Sequence, residues 1–162
     1  MRLILFTAWS LATVVAAAGQ TLTLTPSAVQ YVSVDGMASA RTVTPGGRVT
    51  LWADVKPKSG FHVYAPGAKD FMPVALVMTP RAGTTFGKPA YPTSILSTAA
   101  GAGKPVPVYS APFRIAQLVT LAQTARSGDT LTLSAAVNYQ ACDHRLCYPA
   151  ASIPVTWTLK VQ

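Results

Sequence analysis

The stretch Ile153-Pro154-Val155-Thr156-Trp157-Thr158-Leu159 alternates apolar side chains with small or polar ones along its whole length. Successive side chains of a β-strand point to opposite faces, so this period of two predicts a strand with one buried face. The same alternation recurs over residues 21–25, 49–55 and 131–134. The chain therefore repeats one kind of element, the half-buried strand.

Shorter strands are expected between turns that contain Pro and Gly, at 44–47, 56–60 and 127–129. The further strand candidates are residues 28–34, 61–65, 73–79, 106–109, 113–121 and 134–142. About seven to nine strands with little helical pattern predict an all-β domain built as a β-sandwich. Residues 80–105 are rich in Gly and Pro and are expected to form a long loop. Trp52 and Trp157 are expected in the core.

Composition excludes several classes of function. The chain has 162 residues, of which 50% are hydrophobic and 11% charged, and its formal net charge is +8. It contains no Gly-rich phosphate-binding motif, which argues against nucleotide chemistry. Two Cys and two His do not supply a four-thiolate zinc site. The basic balance predicts a cationic surface and carries no sign of nucleic-acid binding.

Residues 1–18 have the pattern of a secretory signal peptide: Arg2 near the start, an apolar stretch from 3 to 15, and three alanines at 16–18. The apolar stretch is shorter than the roughly 20 residues that a spanning helix needs. We therefore expect a single domain over residues 19–162, exported to the periplasm or secreted, with no membrane span after cleavage. In such an oxidising compartment two neighbouring thiols are expected to pair.

The segment Tyr139-Gln140-Ala141-Cys142-Asp143-His144-Arg145-Leu146-Cys147-Tyr148-Pro149 holds both cysteines. If the four intervening residues form a hairpin-like loop, the two Cys face each other on antiparallel strands roughly 4.5–5.5 Å apart at Cα, which suits a disulfide. Arg145 and a protonated His144 would favour a thiolate, whereas Asp143 would oppose it.

Two interpretations of this pair stay open. A structural bridge is common in secreted sandwiches, yet so small a ring stabilises the fold by only about 2 kcal/mol in the loop-entropy model. A redox pair needs a reachable thiol and a neighbour that resolves the mixed disulfide, and the spacing of Cys142 and Cys147 meets the second requirement. A third hypothesis, soft-metal handling, would use the cysteines with His144 and His62.

The cysteine segment resembles the Y-Q-x-C…C-Y-P signature of the N-terminal periplasmic domain of the thiol:disulfide interchange protein DsbD, and residues 60–64 resemble that family's aromatic strand. The resemblance implies an immunoglobulin-like β-sandwich whose cysteines cycle between dithiol and disulfide without a cofactor. It implies that Cys147 contacts the partner and Cys142 resolves. The implied partners are periplasmic protein disulfides and a thioredoxin-like or membrane reductase.

The same resemblance places His62, Tyr64, Tyr139 and Tyr148 beside the cysteines as supporting residues, with a core position for Tyr64 as the competing interpretation. Two features depart from the family. Four residues separate the cysteines, one fewer than in the family's best-known member. The acidic and aromatic loop that covers the family's disulfide is not evident here, and its candidates, Phe86, Tyr91 and Tyr109, match it poorly.

Two main functions therefore compete. The first is an exported, monomeric thiol:disulfide oxidoreductase that carries electrons between a separate reductase and protein disulfides. The second is a non-catalytic immunoglobulin-like binding module with a structural disulfide. Reducibility distinguishes them, since a buried structural bridge resists a glutathione-like pool.

Overall fold

A computed structural model describes residues 30–98 and 103–162, and these two ranges contain twelve strands and no helix. The proposed signal peptide at 1–18 and the strand expected at 21–25 lie outside the described residues. The strands are β1 Val32–Ala38, β2 Thr42–Val43, β3 Arg48–Pro57, β4 His62–Tyr64, β5 Ala75–Met78, β6 Thr84–Phe86, β7 Ile95–Ser97, β8 Val106–Tyr109, β9 Phe113–Leu121, β10 Thr130–Tyr139, β11 Ala141–Cys142 and β12 Ala151–Val161.

Two four-stranded sheets form the sandwich. The first has the order β1-β3-β9-β6, and the second has the order β2-β12-β10-β5. All pairs are antiparallel except the short parallel pair of β2 with β12. Alternate residues of β10 and β12 are buried, as the period of two predicts, and they share one hydrophobic core with the buried face of β3 and β9.

The two tryptophans differ in burial. Trp157 is in the core and its indole Nε1 donates a hydrogen bond to the Trp52 carbonyl oxygen at 3.2 Å. Trp52 itself is only half-buried, so the expected core position is wrong for this residue. On β3 its neighbours Leu51 and Ala53 take the buried positions, which leaves Trp52 on the outer face, where the Arg114 guanidinium lies 4.7 Å from its ring centroid.

Residues 80–98 and 103–105 are more ordered than the long loop expected over 80–105. They contain β6 and β7 within the described part, and Ala90 pairs with Ala116 of β9 through two backbone hydrogen bonds of 2.8 and 2.9 Å. The Tyr91 hydroxyl accepts a hydrogen bond from the Leu76 amide at 3.1 Å. The expected loop was a wrong prediction here because short strands of two or three alternations give little periodic signal.

A third sheet, with the order β11-β4-β8-β7, positions the cysteine segment. Its strands are two to four residues long, and it has a small hydrophobic cluster of its own, formed by Tyr64, Val106, Val108 and Cys142. The Ala65 amide donates to the Pro107 carbonyl and the Val74 amide to the Tyr64 carbonyl, which ties the ends of this sheet to the neighbouring loops.

In residues 30–98 and 103–162 we find no helix with the length and apolar character of a membrane span.

Candidate functional site

The two cysteines are directly opposed on a tight hairpin. The Asp143 amide donates to the Leu146 carbonyl at 3.0 Å, and the Tyr148 amide donates to the Ala141 carbonyl at 2.9 Å. Cys142 and Cys147 lie between these two bonds and form a narrow antiparallel pair, in which Cα atoms approach most closely. They are joined by a disulfide with a Cα–Cα distance of 4.0 Å, shorter than the expected 4.5–5.5 Å.

The two halves of this disulfide differ in exposure. Cys142 belongs to β11, which pairs with β4, and only 1% of this residue is exposed. Cys147 lies on the returning strand and is exposed, as are the turn residues His144, Arg145 and Leu146. Cys147 is therefore the more accessible residue of the bridge, and Cys142 is the protected one.

Tyr64 contacts the disulfide from the buried side. Its hydroxyl oxygen lies 3.5 Å from Cys147 Sγ and 3.7 Å from Cys142 Sγ. A disulfide sulfur carries no hydrogen, so the tyrosine is the only possible donor in this pair. The ring is 1% exposed and stacks on Phe71, with 4.1 Å between ring centroids. Burial raises the pKa of Tyr64, which keeps its proton on the oxygen at neutral pH.

His62 is the cross-strand neighbour of Cys142 in the register of β4 and β11. Residues at i and i+2 of a strand share a face, so His62, Tyr64 and Cys142 lie on the same side of the third sheet. The imidazole meets the Tyr64 ring edge-on at 5.6 Å, and its buried Nε2 has no hydrogen-bond partner in the described part of the chain. Desolvation lowers the pKa of His62, with an opposing contribution from the charge of Asp143.

Asp143 organises the turn between the cysteines. Its Oδ1 accepts hydrogen bonds from the Arg145 amide at 2.7 Å and the Leu146 amide at 2.9 Å, and its Oδ2 accepts the Tyr148 hydroxyl proton at 2.9 Å. These bonds, the two amides first, lower the pKa of Asp143 to about 2. Bonding of an Asp side chain to amides two and three residues ahead is a common way to form a turn.

Tyr148 belongs to an aromatic group that packs against this hairpin. Its ring lies 4.1 Å from the Tyr31 ring and 5.7 Å from the Phe61 ring, and Tyr31 stacks on Phe61 at 4.6 Å. Tyr148 thus contacts the tilted rings of Tyr31 and Phe61 and is also bonded to Asp143. The role of Tyr31 could not be inferred from sequence, because it lies more than one hundred residues from Tyr148 along the chain.

Comparison with protein families decides the relationship. The family described as "Thiol:disulfide interchange protein DsbD, N-terminal" matches residues 28–156, which is most of the chain. The chain belongs to this DsbD N-terminal family. The matched region includes both cysteines and the residues around them.

One of the solved structures that match this chain supports the fold. The N-terminal periplasmic domain of ScsB from Proteus mirabilis is similar over 85% of this chain, at 13% identity and a TM-score of 0.50. The chain spans about half the length of that protein, since the match covers 49% of it. AggA, the major subunit of aggregative adherence fimbriae type I from Escherichia coli, matches 81% of this chain and 95% of its own, at 13% identity and a TM-score of 0.35. No curated protein matches the sequence. The expected immunoglobulin-like β-sandwich is confirmed.

In this DsbD-type domain, Phe71 is the further aromatic residue that contacts the group around the disulfide. It lies in the loop between β4 and β5, stacks on Tyr64 and packs against the cluster that contains Cys142. The candidates Phe86, Tyr91 and Tyr109 lie elsewhere. Phe86 and Tyr91 pack against the main core, and Tyr109 stacks on Phe113 while its hydroxyl donates to the Pro92 carbonyl at 2.7 Å.

The structure brings four of the six expected site residues, Cys142, Cys147, Tyr64 and His62, together around the disulfide. Tyr148 reaches the site through Asp143. Tyr139 is in the core between the two large sheets, where burial raises its pKa, and it is not among the residues that pack around Cys142. Within the described ranges, no three His, Cys, Asp or Glu side chains are grouped as a metal site would require.

Proposed function

We propose that this protein is an exported thiol:disulfide exchange protein that passes electrons to protein disulfides through a reversible Cys142–Cys147 pair. The observation that carries the proposal is the unequal exposure of a local disulfide in a DsbD-type domain. A nucleophilic sulfur has to be reachable, and a resolving sulfur has to be adjacent and protected from outside thiols. Exposed Cys147 and buried Cys142 suit these two tasks.

The proposed reaction starts from the dithiol. The Cys147 thiolate attacks one sulfur of a partner disulfide, which forms a mixed disulfide and releases the other partner sulfur as a thiolate. The Cys142 thiolate then attacks the Cys147 sulfur, forms the intramolecular disulfide and releases the second partner thiolate. Two electrons pass to the partner, and the two protons lost by the cysteines balance those taken up by its thiolates.

Tyr64 and His62 are proposed to assist this chemistry. The Tyr64 hydroxyl is close enough to both sulfurs to donate a hydrogen bond to either thiolate. The lowered pKa of His62 leaves its imidazole neutral at neutral pH, with Nε2 available to accept a proton from the neighbouring Cys142 thiol. Tyr148 and Tyr139 are proposed to act indirectly, by supporting the hairpin and the end of β10.

The cellular setting follows from the same proposal. Residues 1–18 would direct export and be removed, and residues 19–162 would work as a single, monomeric domain in the periplasm. A thioredoxin-like or membrane reductase would return the pair to the dithiol, because the proposed cycle leaves it oxidised.

The first experiment is the reduction potential of the Cys142–Cys147 pair in glutathione buffers, with trapping of free thiols. A potential of roughly −180 to −270 mV is expected for an exchange protein. The variant Cys142→Ser is expected to accumulate a mixed disulfide through Cys147, whereas the matched control Cys147→Ser is not, because its remaining thiol is buried. A potential below about −300 mV with no mixed disulfide from either variant would instead favour the binding module with a structural bridge.

A further inference from the structure

Asp143 links both sides of the cysteine hairpin. Its Oδ1 closes the turn that follows Cys142, through the amides of Arg145 and Leu146 at 2.7 and 2.9 Å. Its Oδ2 reaches across the hairpin to the hydroxyl of Tyr148, the residue directly after Cys147, at 2.9 Å. One carboxylate therefore bonds to groups on each side of Cys147.

These contacts matter most when the disulfide is open. In the dithiol state the covalent link between Cys142 and Cys147 is absent, and the hairpin's own hydrogen bonds have to keep the two sulfurs opposed. The backbone supplies two such bonds, one on each side of the pair. The three bonds of Asp143 add to them and need no change when the disulfide opens, since none involves a sulfur atom.

We infer that Asp143 is a positioning residue that holds the two thiols opposed in the dithiol state and so sets the equilibrium between dithiol and disulfide. This inference rests on the proposed function only in assuming that the pair is reversible. The equilibrium is the exchange of the protein dithiol with oxidised glutathione, which yields the protein disulfide and two molecules of reduced glutathione. Holding the thiols together favours the disulfide, because less conformational entropy is lost when the ring closes.

If Asp143 acted only through its charge, truncating it to alanine would shift the equilibrium in the same direction as the loss of a positioning role. Removing a negative charge near the sulfurs stabilises a thiolate, which favours the dithiol, and loosening the turn also favours the dithiol. Asp143→Ala therefore does not separate the two roles.

The variants Asp143→Asn and Asp143→Glu separate the positioning role from the electrostatic one. Asn removes the charge but keeps Oδ1 as an acceptor for both amides, whereas Glu keeps the charge on a chain too long for this turn.

The experiment measures the glutathione equilibrium constant at pH 7 for the native protein and these three variants. A positioning role predicts a shift toward the dithiol of about tenfold for Ala and Glu, or about 30 mV for a two-electron couple. The same role predicts a change of less than about twofold for Asn. Tyr148→Phe, which removes only the Oδ2 contact, is expected to give a smaller shift in the same direction.

The opposite pattern overturns the inference: a tenfold shift for Asn with Glu unchanged assigns the effect to charge, and no shift for Ala removes the role altogether. Near-UV circular dichroism shows whether the Glu variant folds. If it does not, the equilibrium constants of the Asn variant and the native protein still separate the two roles, because only the electrostatic role predicts a difference between them. If glutathione cannot reduce the native pair, the proposed function fails, and dithiothreitol buffers still give the ratios between variants that test Asp143.

Discussion

The Tyr64 hydroxyl lies within 3.7 Å of both sulfurs, so its removal tests how the site stabilises a thiolate. In a Cys142→Ser background, Tyr64→Phe deletes the donor and keeps the ring that stacks on Phe71. Hydrogen bonds to charged groups contribute about 1.5–3 kcal/mol, and the long distance to Cys147 Sγ favours the low end. We expect the pKa of the Cys147 thiol to rise by about one pH unit, measured as the pH dependence of its alkylation rate.

The matched control for this change is Tyr109→Phe in the same background. The Tyr109 hydroxyl is also in a buried environment that raises its pKa, but it donates to the Pro92 carbonyl and is not bonded to either sulfur. Loss of the Tyr109 hydroxyl is expected to leave the pH dependence of the Cys147 alkylation rate unchanged. Equal profiles for both variants would show that the Tyr64 hydroxyl does not act on the thiolate.

At the residue scale, the residues that lie around the disulfide were easier to predict from the sequence than the packing that surrounds them. Cys142, Cys147, Tyr64 and His62 could be named in advance because they lie in two short segments with a recognisable pattern. Phe71 and Tyr31 could not, because their contacts depend on how distant segments pack. The exposure of the two cysteines could not be predicted either, because the burial of Cys142 depends on the pairing of β11 with the distant strand β4.

Among the elements, strands β1 and β12 approach each other closely at Gly36. A Cβ atom added there would lie 2.8 Å from Val155 Cγ2 and 3.1 Å from Trp157 Nε1, on the strand that forms the centre of the second sheet's core face. Gly36→Ala is therefore expected to destabilise the protein by about 1–3 kcal/mol, the usual cost of overpacking. Urea unfolding followed by tryptophan fluorescence measures this change.

Gly87→Ala is the matched control for this close approach. Its added Cβ would make only ordinary contacts of 3.5 and 3.7 Å with Leu118, and its backbone needs no left-handed conformation. We expect a change of less than about 0.5 kcal/mol. A loss of stability at Gly87 as large as that at Gly36 would contradict the packing argument.

Long strands could be predicted from alternation, and so could the short strands β4, β5 and β8, but β6 and β7 could not. The segments around β3, β9, β10 and β12 are nine to eleven residues long, and each shows the expected burial of alternate positions. β6 and β7 have three residues each, which is too few for a period to be visible. Trp52 shows a further limit of prediction from sequence. Alternation shows that a strand has two faces, but it does not show whether a large aromatic residue lies on the buried face or on the outer one.

For the molecule as a whole, the third sheet has two different faces. Val63, Tyr109 and Ala141 belong to the main core, whereas Cys142 packs with Tyr64, Val106 and Val108 in a separate cluster. This separation of Cys142 suits a reactive pair, because its sulfur is not part of the packing that holds the two large sheets together.

The same separation predicts that reduction leaves the fold intact. The disulfide joins residues only five positions apart, so opening it frees little of the unfolded chain, about 2 kcal/mol in the loop-entropy model. Urea unfolding of the oxidised protein and of the protein in dithiothreitol is expected to differ by about this amount, with the same dependence on urea concentration. The double variant Cys142→Ala, Cys147→Ala is the control for the reductant. A reduced protein that is unfolded without urea would mean that the bridge is structural, because a carrier has to remain folded in both halves of its cycle.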